Sequence, residues 1–281
     1  KIFLQQQKVG MIGYFETKLK VHTLPQVMRN VNPQWKWTSN ATSEERGRVI
    51  VSWHPKIYNF KELLVTDQLI HGEAIQLSTN TRFLVTFVYV RNHEEQRRTL
   101  WKDIRHLSHS SDAPWCILGD FNAVIHQGDR IGGNEVTVSE TEDFADCMQA
   151  CQLQEFHYDG PFFTWTNKTV WSKIDRAFHN DLWYEAFSFT HVQLLPQGLS
   201  DHTPLRLGFP SLPKPKTTFL FYDMWAKDKE FKGIVQYELA KSFSGSHLKG
   251  LQQVLTSLRG PLKQLNRHYA DIYTQQSKAR N

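Results

Sequence analysis

The 281 residues are 40% hydrophobic and 13% aromatic, enough for one large folded domain with an appendage. No apolar run reaches the roughly 18 residues that span a bilayer, so no membrane partner is expected. The net charge of +5 is uneven: residues 1–210 carry 21 Lys and Arg against 23 Asp and Glu, for −2, and residues 211–281 carry 12 against 5, for +7. A basic tail fits contact with a phosphate backbone and fits a solvated helix equally well, while tight nonspecific DNA binding by residues 1–210 alone is not implied.

Lys1 enters what reads as the middle of a helix, so the sequence reads as beginning downstream of its true start. Leu4 to Lys8 looks like a helix end feeding a strand at Val9 to Phe15, which finishes in Glu16-Thr17-Lys18. His22 to Asn32 is a short helix or loop, and Trp35, Trp37 and Ser39 to Ser43 form a Ser/Thr-rich turn. Gly47 to Trp53 alternates as a strand with Pro55 as its stop. Ile57 to Val65 and Ala74 to Ser78 read as further strands, and Asn80-Thr81 turns into a strand from Arg82 to Tyr89. Glu94 to His109 has helical spacing, with Leu100, Trp101, Ile104 and Leu107 on one face and acids in its first turn.

Trp115 to Leu118 is a short apolar run after Asp112-Ala113-Pro114 and predicts a central strand buried on both faces. Gly119 permits a turn or a close approach of the backbone. Asp120 and Asn122 are two positions apart and in an extended chain would point the same way, an acid beside an amide. A general base with a residue to orient its water needs such a pair; a plain turn after a strand is the alternative. Glycines make Gln127 to Asn134 a loop. Ser139, with Glu142 three residues later, predicts a capping box opening a helix that buries Phe144, Met148 and Cys151. Phe162 to Thr166 and Ser172 to Phe178 read as strands around a hairpin at Asn167 to Trp171. Asp175 falls inside the second, where an unpaired acid is costly, so it needs a partner; Arg176 and Lys173 are the structural choices. Ser188 to Leu195 and Leu205 to Phe209 close the domain. Strands outnumber helices and hairpins mix with helical crossovers, which predicts an α/β sandwich of two packed mixed sheets with helices outside. Pro210 to Thr217 reads as a Pro/Lys linker and Phe231 to Leu265 as an amphipathic helical tail.

The cysteines Cys116, Cys147 and Cys151 give no disulfide framework. Cys147 and Cys151 are four apart on a helix, but no His or further Cys joins them at zinc spacing, which predicts core thiols in a reducing compartment.

Five strand ends thus carry Glu16, Tyr89, Asp120 with Asn122, Asp175, and Asp201 with His202. In this order, "FETK", "VYVRNHEEQRRTLW", "WCILGDFNAV", "FTWTN", "SKIDRAF" and "LSDHTPL" resemble the endonuclease/exonuclease/phosphatase superfamily. They are most similar to the endonuclease domain of plant LINE-type (non-LTR) retrotransposons. The resemblance covers residues 1–210, with a weaker match at "FLFYDMWAKDKEF". It implies a DNase I-like four-layer α/β sandwich, with a tail leading toward a reverse transcriptase domain that this sequence does not contain. The family's first strand, with its Asn in an N-x-R-G-like segment, is also expected upstream of Lys1.

The resemblance further implies a Mg²⁺-dependent (or Mn²⁺-dependent) phosphodiester hydrolase that nicks a target-site DNA duplex. Its partners would be element RNA and reverse transcriptase of the parent polyprotein, working in the nucleus. Glu16 and Asp201 would ligate metal, Mg²⁺ needing only one or two carboxylates. Asp120 would activate water with Asn122 orienting it, and Tyr89 would donate to the phosphate or leaving oxygen. His202 would stabilise the phosphoryl oxygens, with Asp175 fixing its tautomer. Tyr89 as a strand-end aromatic and His202 as a structural imidazole are the plainer readings. Asn167, Lys168 and Trp171 on the hairpin, and Arg130 in the glycine loop, are candidate nucleic-acid contacts by phosphate pairing and stacking. Two other functions compete: a phosphomonoesterase of the same superfamily, which the same residues would serve, and a fragment without catalysis that binds nucleic acid or a partner.

Overall fold

The computed structural model describes residues 4, 6–187, 190–198, 200–209, 223–241 and 247–269. The predicted linker at 210–217 lies outside the described residues, as do 188–189 of the predicted strand Ser188 to Leu195. The elements begin with β1 (Met11–Leu19), α1 (Leu24–Val31), β2 (Lys36–Ser39), β3 (Gly47–Trp53), β4 (Tyr58–Val65), β5 (Leu69–Gln76), β6 (Thr81–Tyr89) and α2 (Glu94–Ser110). They continue with β7 (Trp115–Asp120), β8 (Arg130–Ile131), α3 (Val138–Ala150), β9 (Gln154–Glu155), β10 (Tyr158–Asp159), β11 (Trp165–Thr166) and β12 (Trp171–Ser172). β13 (Asp175–His179), α4 (Asp181–Ala186), β14 (His191–Leu194) and β15 (Leu205–Gly208) complete the first of two compact units, Lys1–Pro210.

A six-stranded sheet in the order β4-β5-β6-β7-β13-β9 is the centre of that unit. Its one parallel pair is β6 with β7, joined by the α2 crossover. Helices α2 and α3 cover one face. There the Trp101 and Phe121 rings both stack on Phe144, each 4.8 Å from it between ring centroids. The other face carries two three-stranded sheets, β1-β3-β2 and β10-β14-β15. Val49, Val51 and Trp53 of β3 and Val192 of β14 bury against Phe83, Val85 and Phe87 of β6. Outside the first small sheet, Leu24 and Met28 of α1 pack on Ile50. Helix, sheets, sheet and helices make the expected four-layer α/β sandwich, its outer sheet in two pieces. Each fully buried Val, Leu, Ile or Phe contributes about 1.5–3 kcal/mol.

Several local expectations need correction. Trp37 belongs to β2 and not to a turn. β5 starts at Leu69 and not Ala74, because the sheet tolerates Gly72 and the buried His71. Gly72 is needed there: a Cβ would meet the Phe60 ring at 2.4 Å. α3 is preceded by Thr137 as N-cap with no side-chain cap, so the box at Ser139 and Glu142 does not form. The second unit, Ser211–Asn281, holds α5 (Asp223–Ala226), α6 (Phe231–Leu239), α7 (His247–Ser257) and α8 (Arg259–Tyr269) around Trp225, Leu262 and Leu265. The tail read as amphipathic and helical is built of several helices, the last opening with Pro261 in its first turn.

Candidate active site

Pairing between strands assembles the site. Tyr89 is the register partner of Asp120 across β6 and β7, and Asp120 is the partner of Asp175 across β7 and β13. Three residues from three separate apolar runs therefore stand in a row at one end of the central sheet. β7 comes so close to β6 that a Cβ on Gly119 (φ +148°) would lie 2.0 Å from the Val88 carbonyl oxygen, so only glycine fits before Asp120.

Asp120 is 3% exposed. Asn122 reaches it by a turn and not along an extended strand, since its φ is +45°. The Asn122 backbone N–H donates to Asp120 Oδ1 at 2.9 Å, and its side-chain Nδ2 donates to Oδ2 at 3.2 Å and to the Val90 carbonyl at 2.8 Å. Burial, then the charge of Asp175, push the Asp120 carboxyl well above the usual carboxylate range; Glu16 adds to this and His202 opposes it.

His202 completes the cluster. Its Nδ1 lies 2.9 Å from Asp175 Oδ2, and its Nε2 lies 3.9 Å from Asp120 Oδ2, too long for a hydrogen bond. Burial pulls the imidazole down, but the bond to Asp175 and the charges of Asp175, Asp120 and Asp201 outweigh it and raise it to about 9. Asp175 thus takes His202 as its partner, not Arg176 or Lys173. Arg176 points to the opposite face, where it pairs with Asp129 and Glu155, and Lys173 also meets Glu155.

Thr164, absent from the predicted set, ties this pair together. Its buried hydroxyl accepts the N–H groups of Ile174 and Asp175 at 3.1 and 2.9 Å, and its carbonyl accepts the Thr203 N–H at 2.7 Å. The strand of Asp175 and the loop of His202 are thereby joined through one residue. The "FTWTN" motif held the signal, but a threonine among aromatics reads as ordinary strand composition.

Glu16 and Asp201 lie outside the tight cluster of Asp120, Asp175 and His202, whose ligand atoms are within 4.8 Å of one another. The β1–β3 register shifts between Phe15 and Leu19, and Glu16 (φ +52°) and Lys18 (φ +51°) are left-handed at this bulge. Glu16 pairs with Lys18 and is half-exposed. Its charge is nonetheless felt by Asp120 and by Tyr89, whose hydroxyl is raised above its ordinary value by burial first and then by Glu16. Asp201 accepts the Trp165 indole N–H at 3.0 Å. Asp120, Asp175 and His202 offer two carboxylates and one imidazole, a donor set with hard oxygen that fits a divalent cation such as Mg²⁺.

The hairpin residues separate. Asn167 Oδ1 accepts the N–H groups of Thr169 and Val170 at 3.0 and 2.7 Å and shapes the turn. Lys168 is exposed at its tip, with φ +76°. Trp171 is 40% exposed and pairs across strands with exposed Ile131. Arg130 is engaged by Glu140 at 3.1 Å.

The model of the Endonuclease/Exonuclease/phosphatase family matches residues 8–202. Among solved structures, the fold is similar to the endonuclease domain of TRAS1, a telomere-specific non-LTR retrotransposon. The TM-score is 0.58 at 10% identity, over 74% of this chain and 90% of that one. It is also similar to the AP endonuclease LMAP from Leishmania major, with a TM-score of 0.59 at 13% identity over 73% of this chain and 80% of that one. An endonuclease/exonuclease/phosphatase family protein from Bacteroides thetaiotaomicron gives 0.52 at 14% identity, over 73% and 85%. At such identities these likenesses show the fold, a DNase I-like sandwich. No curated protein sequence matches.

Proposed function

The chain belongs to the Endonuclease/Exonuclease/phosphatase family, and we propose that within it the protein is a Mg²⁺-dependent DNA-nicking endonuclease of a LINE-type element. The observation that carries the reading is the His202–Asp175 pair facing buried Asp120 across 3.9 Å. Phosphodiester hydrolysis needs an activated water in line with the leaving oxygen, and donors for charge on the phosphoryl oxygens. Asp120, pushed above the usual carboxylate range, is a stronger base than an ordinary carboxylate and takes the proton of the attacking water. Asn122, fixed on Asp120 and the Val90 carbonyl, holds that carboxylate in place. His202 carries a proton on Nε2 and donates it as a hydrogen bond to a phosphoryl oxygen, while Asp175 keeps Nδ1 occupied. Tyr89 donates its hydroxyl to the phosphate or leaving oxygen. Glu16 and Asp201 would hold Mg²⁺, which when bound supplies positive charge for the phosphoryl oxygens.

In a LINE-type element such an enzyme leaves a 3′-OH that primes reverse transcription at the nuclear target, with element RNA and reverse transcriptase as partners. Lys168 and Trp171 would meet the DNA by phosphate pairing and stacking. The test offers supercoiled plasmid and a small phosphomonoester to the protein, each with Mg²⁺ and with EDTA. Metal-dependent nicking whose product a polymerase can extend is the expected result. Phosphate release from the monoester with intact plasmid would replace this reading with a phosphomonoesterase.

A further inference from the structure

Arg48 is the second residue of β3, and its side chain reaches from that small sheet to the central one. Its guanidinium carbon lies 5.8 Å from the centroid of the Tyr89 ring. Tyr89 flanks Asp120 on one side of the row and Asp175 flanks it on the other, so Arg48 stands across the site from His202. The backbone here is held firmly. The N–H groups of Arg48 and Val49 both donate to Asn40 Oδ1 at 2.9 Å. Asn40 in turn donates to the carbonyls of Thr66 and Asp67 between β4 and β5, at 3.1 and 2.8 Å. Arg48 is therefore anchored to both sheets.

Several arginines of this unit have acids as partners, Arg176 with Asp129 and Glu155, Arg130 with Glu140 and Arg91 with Asp67, while Arg97 donates to the carbonyls of Arg91 and Asn92. Among the described residues no carboxylate lies within ion-pair distance of the Arg48 guanidinium, although the side chain is only partly exposed. A guanidinium presents five N–H donors in a planar fork that matches phosphate. A cation–π contact with Tyr89 uses none of those N–H groups as hydrogen-bond donors, which leaves them for another group.

We propose that Arg48 is a phosphate-binding residue, donating to a non-bridging oxygen of a substrate phosphate on the Tyr89 side of Asp120. This rests on the DNA reading above, and it gives the site a cationic contact on each side of the acidic row. Because the contact is to phosphate, it adds affinity without sequence preference.

The test measures binding of the whole chain to a fluorescent DNA duplex in EDTA, by anisotropy over a range of salt concentrations. Arg48→Met keeps the apolar stem over Tyr89 and removes the charge; Arg48→Lys keeps the charge. Arg48→Met is expected to weaken binding roughly tenfold on unrelated sequences and to reduce the slope of log K against log salt by about one. Arg48→Lys should restore that slope. Arg48→Met with wild-type affinity and slope would overturn the proposal and leave the DNA reading standing. A wild-type protein that binds no duplex even at low salt would remove both. Thermal melting checks the fold of each variant, and Arg48→Gln replaces Arg48→Met should the latter not fold.

Discussion

Buried in the central sheet, His71 is 4% exposed, and its Nδ1 lies 2.7 Å from Thr86 Oγ1. The Trp115 indole donates to that same oxygen at 2.8 Å. The Thr86 hydroxyl thus has its own proton to give to Nδ1, which assigns the histidine proton to Nε2 and leaves the ring neutral. Burial lowers the His71 pKa from 6.5 to about 4. Between those values the unfolded chain holds a proton that the fold refuses, so stability rises with pH across that window. The contribution is fully present above pH 6.5 and fades as the pH falls toward 4. Urea unfolding should therefore lose about 2 kcal/mol between pH 7.5 and pH 5 from this group. His71→Gln should flatten the pH dependence by that amount. Equal dependence in both proteins would show that His71 is not the source.

At the scale of elements, β13 places opposite chemistry on its two faces. Asp175 faces the site, and Arg176, fully buried, faces the helices with Asp129 and Glu155. Asp129 also accepts the N–H groups of Ile125 and His126, at 2.9 and 2.8 Å, so it fastens the loop after β7 to β13. Asp129→Ala leaves a guanidinium buried with half its charge compensation gone, and should cost about 3–5 kcal/mol. Glu45→Ala removes an exposed partner of Arg91 at 3.6 Å and should cost less than about 1 kcal/mol. Denaturant midpoints of the two variants check this, and equal losses would deny the network its role.

The strong periodicities were legible in the sequence. β3 has the predicted ends, and the helix read over Glu94 to His109 is one residue longer, because alternation and an apolar stripe dominate there. The acids at the ends of apolar runs were legible too, and Asp120 and Asp175 come together. What stayed hidden depends on tertiary partners. Side-chain alternation holds only in an extended chain, so it missed the left-handed turn that carries Asn122 back onto Asp120. It likewise missed the bulge at Glu16. The pairing of Asp175 with His202, by contrast, was implied by the family resemblance, and the structure has it at 2.9 Å. Arg48 and Thr164 earn their places from other strands, which composition does not record.

For the whole molecule, charge and architecture point the same way. Residues 1–210 carry a small net negative charge and an acid-rich centre, while residues 211–281 are strongly basic. A centre of this kind works on a polyanion only where a cation offsets its carboxylates, and the family fold supplies the scaffold on which Asp120, Asp175 and His202 meet. The proposed reaction is cleavage of a phosphodiester by these residues with metal. The most direct measurement is the rate at which supercoiled plasmid is nicked in Mg²⁺ by the wild-type protein and by His202→Ala, with EDTA as control. Metal-dependent nicking by the wild type and a loss of roughly a hundredfold or more in the variant are expected. Nicking by His202→Ala at the wild-type rate, or nicking that survives EDTA, would contradict that reaction.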